Sequence, residues 1–250
     1  TMPPYVLIEV PTEASHLNKA NDFLRKQDWS GARREFRSAL AVRPINPVTW
    51  LKLLDVAWWE DSTEGRPLDD ALAICAEARQ AIGQDHPELS IEIGHAYWCL
   101  RTDQQEEYEK VCRLVLDQHS TAEVPRTQFQ VARILALGKR SIVPPDQIVK
   151  LARKAIAADP NQGYFSSALT HSLIRAGQYE EALATSEGNN ALIAMSHACM
   201  GNDREAGKWL ELARNAVADN PLDPRSTWYP TRRMAWEHFL RETEQILAEQ

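Results

Sequence analysis

The residues of this sequence best suited to chemistry are a histidine and a cysteine one helical turn apart. His95 and Cys99 are four positions apart, so they share a face if the segment is helical, and Cys112 follows on the next predicted helix. Such a set could bind zinc or supply a thiolate beside a base. A closed zinc site needs about four ligands, and a nucleophile needs an orienting group and an oxyanion hole. The sequence supplies neither constellation, so we predict no metal, no cofactor and no catalysis.

Three arginines form a second set with chemical potential. Arg126, Arg133 and Arg175 are spread over two predicted helices, and guanidinium groups hold carboxylate and phosphate oxygens bidentately. Together they would suit an acidic or phosphorylated peptide. The alternative is that they are ordinary solvated side chains, as most surface arginines are. Both interpretations stay open at this point.

The elements that would position these side chains are short helices in a repeating pattern. Ala32, Phe36, Ala39 and Pro44 give small, aromatic, small and proline residues at successive offsets of four, three and five. Small residues let a partner helix approach, the ring fills the gap, and the proline stops the helix. The pattern recurs at a period of roughly 34 residues, which is typical of a helical solenoid. The recurrences are Ile148, Ala152, Ala155 and Pro160; Ala206, Leu210 and Ala213; and, more loosely, Ala71, Cys75 and Ala78, and Tyr108, Cys112 and Val115.

This spacing resembles the second helix of a tetratricopeptide repeat (TPR). We therefore predict an all-α fold, a right-handed TPR-type solenoid of about six helix-turn-helix repeats plus a C-terminal capping helix. Residues 1–12, which are rich in proline, are predicted to be an extended lead-in or linker, and residues 13–250 the solenoid with its cap. Three irregularities are expected: a long turn at 60–67, a loop at 138–145, and a second helix of the fifth repeat cut short before Gly188.

The second half of the chain resembles a narrower family. Its motifs are Tyr108-Glu-Lys-Val-Cys112, Val143-Pro-Pro-Asp-Gln-Ile-Val-Lys-Leu-Ala152, Ala157-Ala-Asp-Pro160 and Arg175-Ala-Gly-Gln-Tyr179-Glu-Glu-Ala182. They are similar to the TPR region at the C-terminus of bacterial Hanks-type serine/threonine kinases and WD-repeat propeller proteins. The resemblance implies a solenoid that recruits or senses proteins beside a signalling domain. The chain has no glycine-rich phosphate loop, His-Arg-Asp or Asp-Phe-Gly, so a kinase or propeller domain of the same gene product would lie upstream.

In TPR solenoids the first helix of each repeat lines a concave groove, and the resemblance implies the groove positions of this chain. Aromatic, arginine and histidine residues at these positions are typical of interface hot spots. For Trp58 and Trp98 the alternative is packing between neighbouring helices. The predicted groove consists of Asn21, Arg25, Asp55, Trp58, Trp59, His95, Trp98, Phe129, Arg133, His171 and Arg175.

Composition narrows the classes of function. The 28 basic and 35 acidic residues give a formal net charge of −7, which disfavours nucleic acid as a partner. No apolar run approaches the roughly 18 residues that a membrane span requires, so we expect no membrane insertion and a cytoplasmic protein. The four cysteines lack paired CxxC spacing and are interpreted as reduced thiols in helices.

Two functions follow from these observations. The first is a non-enzymatic interaction module that binds a peptide or protein partner in its concave groove, within or beside a bacterial signalling protein. The alternative is a self-assembling scaffold, in which solenoid ends or exposed aromatic residues join copies of the chain.

Overall fold

The computed structural model describes residues 12–64, 69–83, 89–186, 188–218 and 229–250. Within these ranges the chain forms thirteen α-helices and no strand, which confirms the predicted all-α class. The expected lead-in at 1–11 lies outside the described residues. The helices are α1 (Glu13–Arg25), α2 (Trp29–Val42), α3 (Pro47–Glu64), α4 (Asp69–Ile82), α5 (Leu89–Arg101), α6 (Gln105–His119), α7 (Pro125–Leu137), α8 (Pro145–Ala158), α9 (Phe165–Arg175), α10 (Tyr179–Thr185), α11 (Asn190–Cys199), α12 (Asp203–Ala218) and α13 (Tyr229–Ala248).

The helices are joined in pairs by tight turns, and several of these turns share one backbone conformation. A residue with positive φ lies in the turn of four pairs: Gln27 (57°), Asp103 (56°), Gly177 (72°) and Gly201 (74°). Glycine adopts this left-handed conformation without steric cost, whereas an L side chain costs roughly 1 kcal/mol there. The repeated turn keeps the two helices of each pair antiparallel and close, which is the helix-turn-helix unit predicted from the sequence.

Small residues set how closely the helices approach. At Gly138, an added Cβ would lie 2.3 Å from Cε1 of Tyr108. The space is used by Tyr108, whose hydroxyl donates to the Ile134 carbonyl (2.8 Å) and accepts from the Gly138 backbone N–H (2.8 Å). Pairs also pack on the next pair, as where Trp29 of α2 stacks on Trp59 of α3 with ring centroids 4.9 Å apart. This succession of neighbour contacts gives the solenoid-like architecture.

Two of the expected irregularities are confirmed and one is wrong. Helix α7 ends at Leu137 and α8 begins at Pro145, which leaves the predicted loop between them, and α10 is only 7 residues long. The turn expected from residue 60 does not begin there, because α3 continues to Glu64. No proline or glycine interrupts residues 60–64, and buried Glu60 pairs with Arg33 of α2. Residues 65–67 of that predicted turn lie outside the described residues.

Alternate helices form what we call the inner row, consisting of α3, α5, α7, α9 and α11, each in contact with the next member. Helix α13 packs on α11 and α12, as a capping helix would, but it also contacts α5 and α3. The last helix therefore lies along the inner row rather than only at its end. Its buried residues Met234, Phe239 and Leu240 belong to the main core.

Candidate binding cavity

A cavity of about 1070 Å³ lies between the inner row and the two last helices, α12 and α13. Its wall includes residues from α3, α5, α7, α9, α12 and α13, so no single repeat forms it. The predicted groove residues Asp55, Phe129, Arg133 and His171 all line this cavity. The first and last of these four residues, Asp55 and His171, are 116 positions apart in the sequence.

One side of the cavity is aromatic. Phe129 of α7 stacks on Phe165 of α9, with ring centroids 4.8 Å apart, and Tyr164 meets the edge of Phe129 at 5.2 Å. Phe129 and Phe165 are buried, whereas Tyr164 is 50% exposed. Aromatic side chains of this kind offer large contact area with few rotatable bonds. The cluster is suited to anchor an apolar side chain of a ligand.

Arg133 of α7 places a cation in the cavity wall. Its Nε and Nη2 atoms lie 3.3 and 3.2 Å from the hydroxyl oxygen of Tyr97, and its guanidinium lies 5.5 Å from the centroid of the same ring. Among the described residues no carboxylate pairs with it. A half-buried guanidinium that has only a neutral partner keeps free donors for a carboxylate or phosphate group.

Asp55 of α3 places a carboxyl group in the wall of the same cavity. Burial raises the pKa of this carboxyl to about 8, and the positive charge of Lys52 offsets the rise only in part. At neutral pH the group is therefore mostly protonated, and it can donate a hydrogen bond as well as accept one. The cavity consequently combines apolar rings with a few polar groups, the usual composition of a binding site.

Helix α13 forms the opposite wall. Phe239 meets the ring of His171 edge-on at 4.7 Å, and Trp236 and Leu240 line the cavity beside it. His171 is buried, and its Nε2 atom has no hydrogen-bond partner in the structure. Burial lowers the pKa of this imidazole well below its ordinary value, with further lowering by the charge of Arg175. His171 therefore stays neutral and packs as part of the wall.

Arg175 does not line the cavity, because its guanidinium is hydrogen-bonded to α7 and α13. It donates to the carbonyls of Ala136 (2.8 Å) and Leu137 (2.7 Å) at the end of α7, and it forms a bidentate pair with buried Glu242. Burial alone would raise the pKa of Glu242, but the hydrogen bonds and charge of Arg175 outweigh it and the pKa is lowered. The ion pair fixes α13 against α7 and α9.

The remaining predicted groove residues lie elsewhere. Asn21 and Arg25 are exposed on α1, away from the cavity wall, and Arg25 pairs with Asp22. Trp59 is buried in its stack on Trp29, while Trp58 and Trp98 are each only 1% exposed. Such side chains present no surface to a partner, so the core interpretation describes both tryptophans.

His95 is also a core residue rather than a groove residue. It is 3% exposed, and its Nδ1 atom lies against the guanidinium of Arg79, which also pairs with Glu92. Burial, with the charge of Arg79, lowers the pKa of His95 to about 4. In the adjoining core, burial raises the pKa of Cys99 and that of Cys112 to about 12, so both thiols stay protonated. Across the described residues no group of three or more His, Cys, Asp or Glu side chains could hold a metal ion.

The cavity also includes residues that the sequence did not single out for it. Tyr97 was not among the predicted groove residues, and Trp236 and Phe239 belong to the predicted capping helix, yet all three line the cavity. The feature that could have indicated this position is the length of α13. A helix of 20 residues is long enough to extend past one repeat and contact several others.

Comparison with known proteins shows similarity to solved structures only. No family model matches the chain, and no curated protein matches it. A crystal structure of MamA protein is 12% identical and has a TM-score of 0.43, over 84% of this chain and 96% of that chain. A second MamA crystal structure is 13% identical with a TM-score of 0.41, over 78% and 96%. A tetratricopeptide repeat protein from Parabacteroides merdae is 15% identical with a TM-score of 0.34, over 93% and 98%.

The assignment of a TPR-like fold rests on the helix pairing described above. A further observation concerns membranes: none of the helices in the described ranges is both long enough and apolar enough to cross a bilayer.

Proposed function

We propose that this protein is a non-enzymatic interaction module that binds a segment of a partner protein in the cavity of the inner row. The observation that carries the proposal is that the guanidinium of Arg133, which has no counter-ion among the described residues, and the rings of Phe129 and Tyr164 line the same cavity. Arginine and aromatic residues in a recessed site are the usual anchors of protein recognition.

The size of the cavity favours a peptide over a metabolite. Its volume of about 1070 Å³ lies at the upper limit of the roughly 300–1,000 Å³ typical of small-molecule sites. Helices from several repeats line it, as expected for an extended ligand that crosses the solenoid. We expect an apolar side chain of the partner to pack on Phe129 and a partner carboxylate to pair with Arg133.

The cellular setting is the less direct part of the proposal. The motif from Val143 to Ala152 and its companions resemble the TPR regions of bacterial Hanks-type kinases and propeller proteins. On that resemblance, we place the module in the cytoplasm, within or beside a signalling protein that carries such a domain upstream.

The experiment that tests the proposal compares proteins captured from a native lysate by three forms of the chain. These are the wild type, Arg133→Gln in the cavity, and Arg204→Gln, which replaces an exposed arginine of α12 that does not line the cavity. Circular dichroism establishes that all three are folded. A partner retained by wild type and Arg204→Gln but lost from Arg133→Gln supports the cavity as the site, whereas equal recovery from all three contradicts it.

Self-assembly is the second candidate, and one surface favours it. Val42, Ile45 and Val48, around the connection of α2 to α3, are 52%, 58% and 58% exposed. Adjacent exposed aliphatic residues suit contact between copies of the chain. The buried tryptophans take no part in this surface. Light scattering at increasing protein concentration tests the idea, and a constant monomer mass would rule it out.

A further inference from the structure

A second, smaller cavity of about 480 Å³ lies where the turn between α5 and α6, the loop between α7 and α8, and α13 meet. It shares no lining residue with the large cavity. Its polar lining includes Asp103 from the turn, Gln105 at the start of α6, Lys139 and Arg140 from the loop, and Arg241 from α13. The pocket is therefore a separate site from the cavity of the proposed function.

The pocket has an excess of positive charge. Lys139, Arg140 and Arg241 contribute three cations against the carboxylates of Asp103 and Glu242, and Glu242 is already neutralised by Arg175. None of the three cations forms an ion pair with any residue that the structure describes. Most other described arginines are paired, and the whole chain carries a net charge of −7, so this convergence of free cations is a local exception.

The backbone does not need these cations. Basic side chains near the end of a helix often serve its terminal carbonyls. At the end of α7, however, the Ala136 and Leu137 carbonyls already accept hydrogen bonds from Arg175, and His238 Nε2 lies 2.9 Å from the Leu137 carbonyl. Lys139 and Arg140, in the loop that follows, are therefore left without a capping role.

The electrostatics of the pocket favour an added anion. Arg241 has a lowered pKa, caused first by partial loss of solvent around its guanidinium and then by the nearby charge of Arg101, while the charges of Glu237 and Glu244 offset part of the lowering. Arg101 itself pairs with Asp61 and Glu237. An anion in the pocket would reduce the remaining repulsion and accept hydrogen bonds from several donors.

We propose that this pocket binds the phosphate of a phosphate monoester. Three cations set against the single unpaired carboxylate of Asp103 leave an excess of two positive charges, which matches a phosphate dianion better than a single carboxylate. Arg140 and Arg241 approach the pocket from different elements and would contact different phosphate oxygens, and the Gln105 and Gln245 amides supply further donors. The phosphate is carried either by a small molecule or by a phosphorylated side chain.

The test measures the melting temperature of the full chain in sodium phosphate at pH 7 and in sodium chloride of equal ionic strength. Inorganic phosphate is expected to raise the melting temperature of wild type above the chloride value. Arg241→Gln and Arg140→Gln should each weaken phosphate affinity about tenfold, as expected for the loss of one charge-assisted contact. Arg204→Gln, the matched exposed control, should respond as wild type does.

Two results would overturn the proposal. One is a phosphate effect no larger than that of chloride, and the other is the same phosphate effect in all four proteins. Both arginines are exposed, so the variants are expected to fold, which circular dichroism verifies. Calorimetry with O-phosphoserine in a short glycine peptide then identifies the source: tighter binding than inorganic phosphate indicates a phosphorylated side chain, and equal binding indicates a small molecule.

Discussion

Two buried arginine–glutamate pairs represent two kinds of contact in this molecule. One joins helices that are adjacent in the chain, and the other joins helices that are far apart in the chain. Arg79 and Glu92 join α4 to α5, helices adjacent in the chain, with Nε–Oε1 and Nη2–Oε2 distances of 2.8 and 2.5 Å. Arg175 and Glu242 join α9 to α13, residues 67 positions apart. The two glutamates are almost equally buried, yet one pair only strengthens a neighbour contact and the other fixes a distant helix.

The difference shows how a solenoid acquires a recessed cavity. A repeat array couples each unit only to its neighbours, so its inner face stays open. Here the last helix returns to α5 and α3 and supplies one wall of the cavity. The Arg175–Glu242 pair, together with the Arg101–Glu237 pair between α5 and α13, holds that wall, so the binding site depends on contacts that no repeat motif contains.

Removing the long-range pair is expected to have the largest effect. Glu242→Ala leaves the buried charge of Arg175 without its carboxylate, which should lower the free energy of unfolding by about 3–5 kcal/mol. Hydrogen exchange should then show early loss of protection across α13. Glu92→Ala should cost a similar amount in urea unfolding, but α13 should keep its protection until the whole chain unfolds.

A matched control lies on the same helix. Glu244, two residues after Glu242, forms an exposed pair with Arg214 at 2.5 Å. Glu244→Ala should change stability by less than about 1 kcal/mol, since exposed ion pairs contribute little. If Glu244→Ala and Glu242→Ala proved equally destabilising, the comparison between the two buried pairs would lose its basis.

Each buried pair also has a neutral histidine beside it, and acid should act on both. The pKa of His95 and that of His238 are lowered to about 4, chiefly by burial, while Glu242 raises and Arg175 lowers the pKa of His238. The unfolded chain protonates its histidines near pH 6.5 and so binds more protons between pH 6.5 and 4. The free energy of unfolding should therefore decrease as the pH is lowered from 6.5 to 4. Each histidine should account for about 3 kcal/mol over the whole window.

The measurement is urea unfolding at pH 7, 6 and 5. His238→Gln, which keeps an amide donor for the Leu137 carbonyl, should be less sensitive to acid than wild type. An unchanged pH dependence in this variant would show that His238 is protonated alike in the folded and unfolded states.

Asp55 should produce the opposite trend. With a folded pKa of about 8 against about 3.9 in the unfolded chain, the folded state binds more protons between these values. The contribution of Asp55 to the free energy of unfolding is therefore complete below about pH 4 and is lost as the pH rises to 8. Asp55→Asn should remove this loss and raise the free energy of unfolding at pH 8 on the order of 2 kcal/mol, whereas a lower stability at pH 8 would contradict the assignment.

The sequence predicted the fold well because its signals are local. Ala32, Phe36, Ala39 and Pro44 determine one helix and its end within a short window, and the left-handed turn residues occur at equivalent positions of several pairs. The shortened fifth repeat followed from Gly188 in the same way. The end of α3 was missed because the turn residues of that region do not begin until Gly65.

The site was only partly predictable because closure is not local. Helical spacing places Asp55, Phe129, Arg133 and His171 on the inner row, but it does not distinguish a groove position from a core position such as Trp98. Nor does it reveal which glutamate will reach Arg175 from another helix. A buried ion pair across 67 residues leaves no periodic trace in the sequence.

The smallest expected effect on stability distinguishes Arg133 from Arg175, two of the three arginines in the predicted groove. Arg175 forms an ion pair with Glu242 of α13, whereas among the described residues Arg133 hydrogen-bonds only to the hydroxyl of Tyr97 and lies over the ring of that residue. Arg133→Gln should therefore change the free energy of unfolding by no more than about 0.5 kcal/mol while it weakens partner capture.

Arg175→Gln should instead lower the melting temperature of the protein, because Glu242 then stays buried without a cation. A destabilised Arg133→Gln protein would mean that Arg133 is structural and that the cavity lacks a free cation for a ligand. A stable variant that captures no partner would instead make Arg133 a recognition residue, since its contacts with Tyr97 would then contribute little to folding.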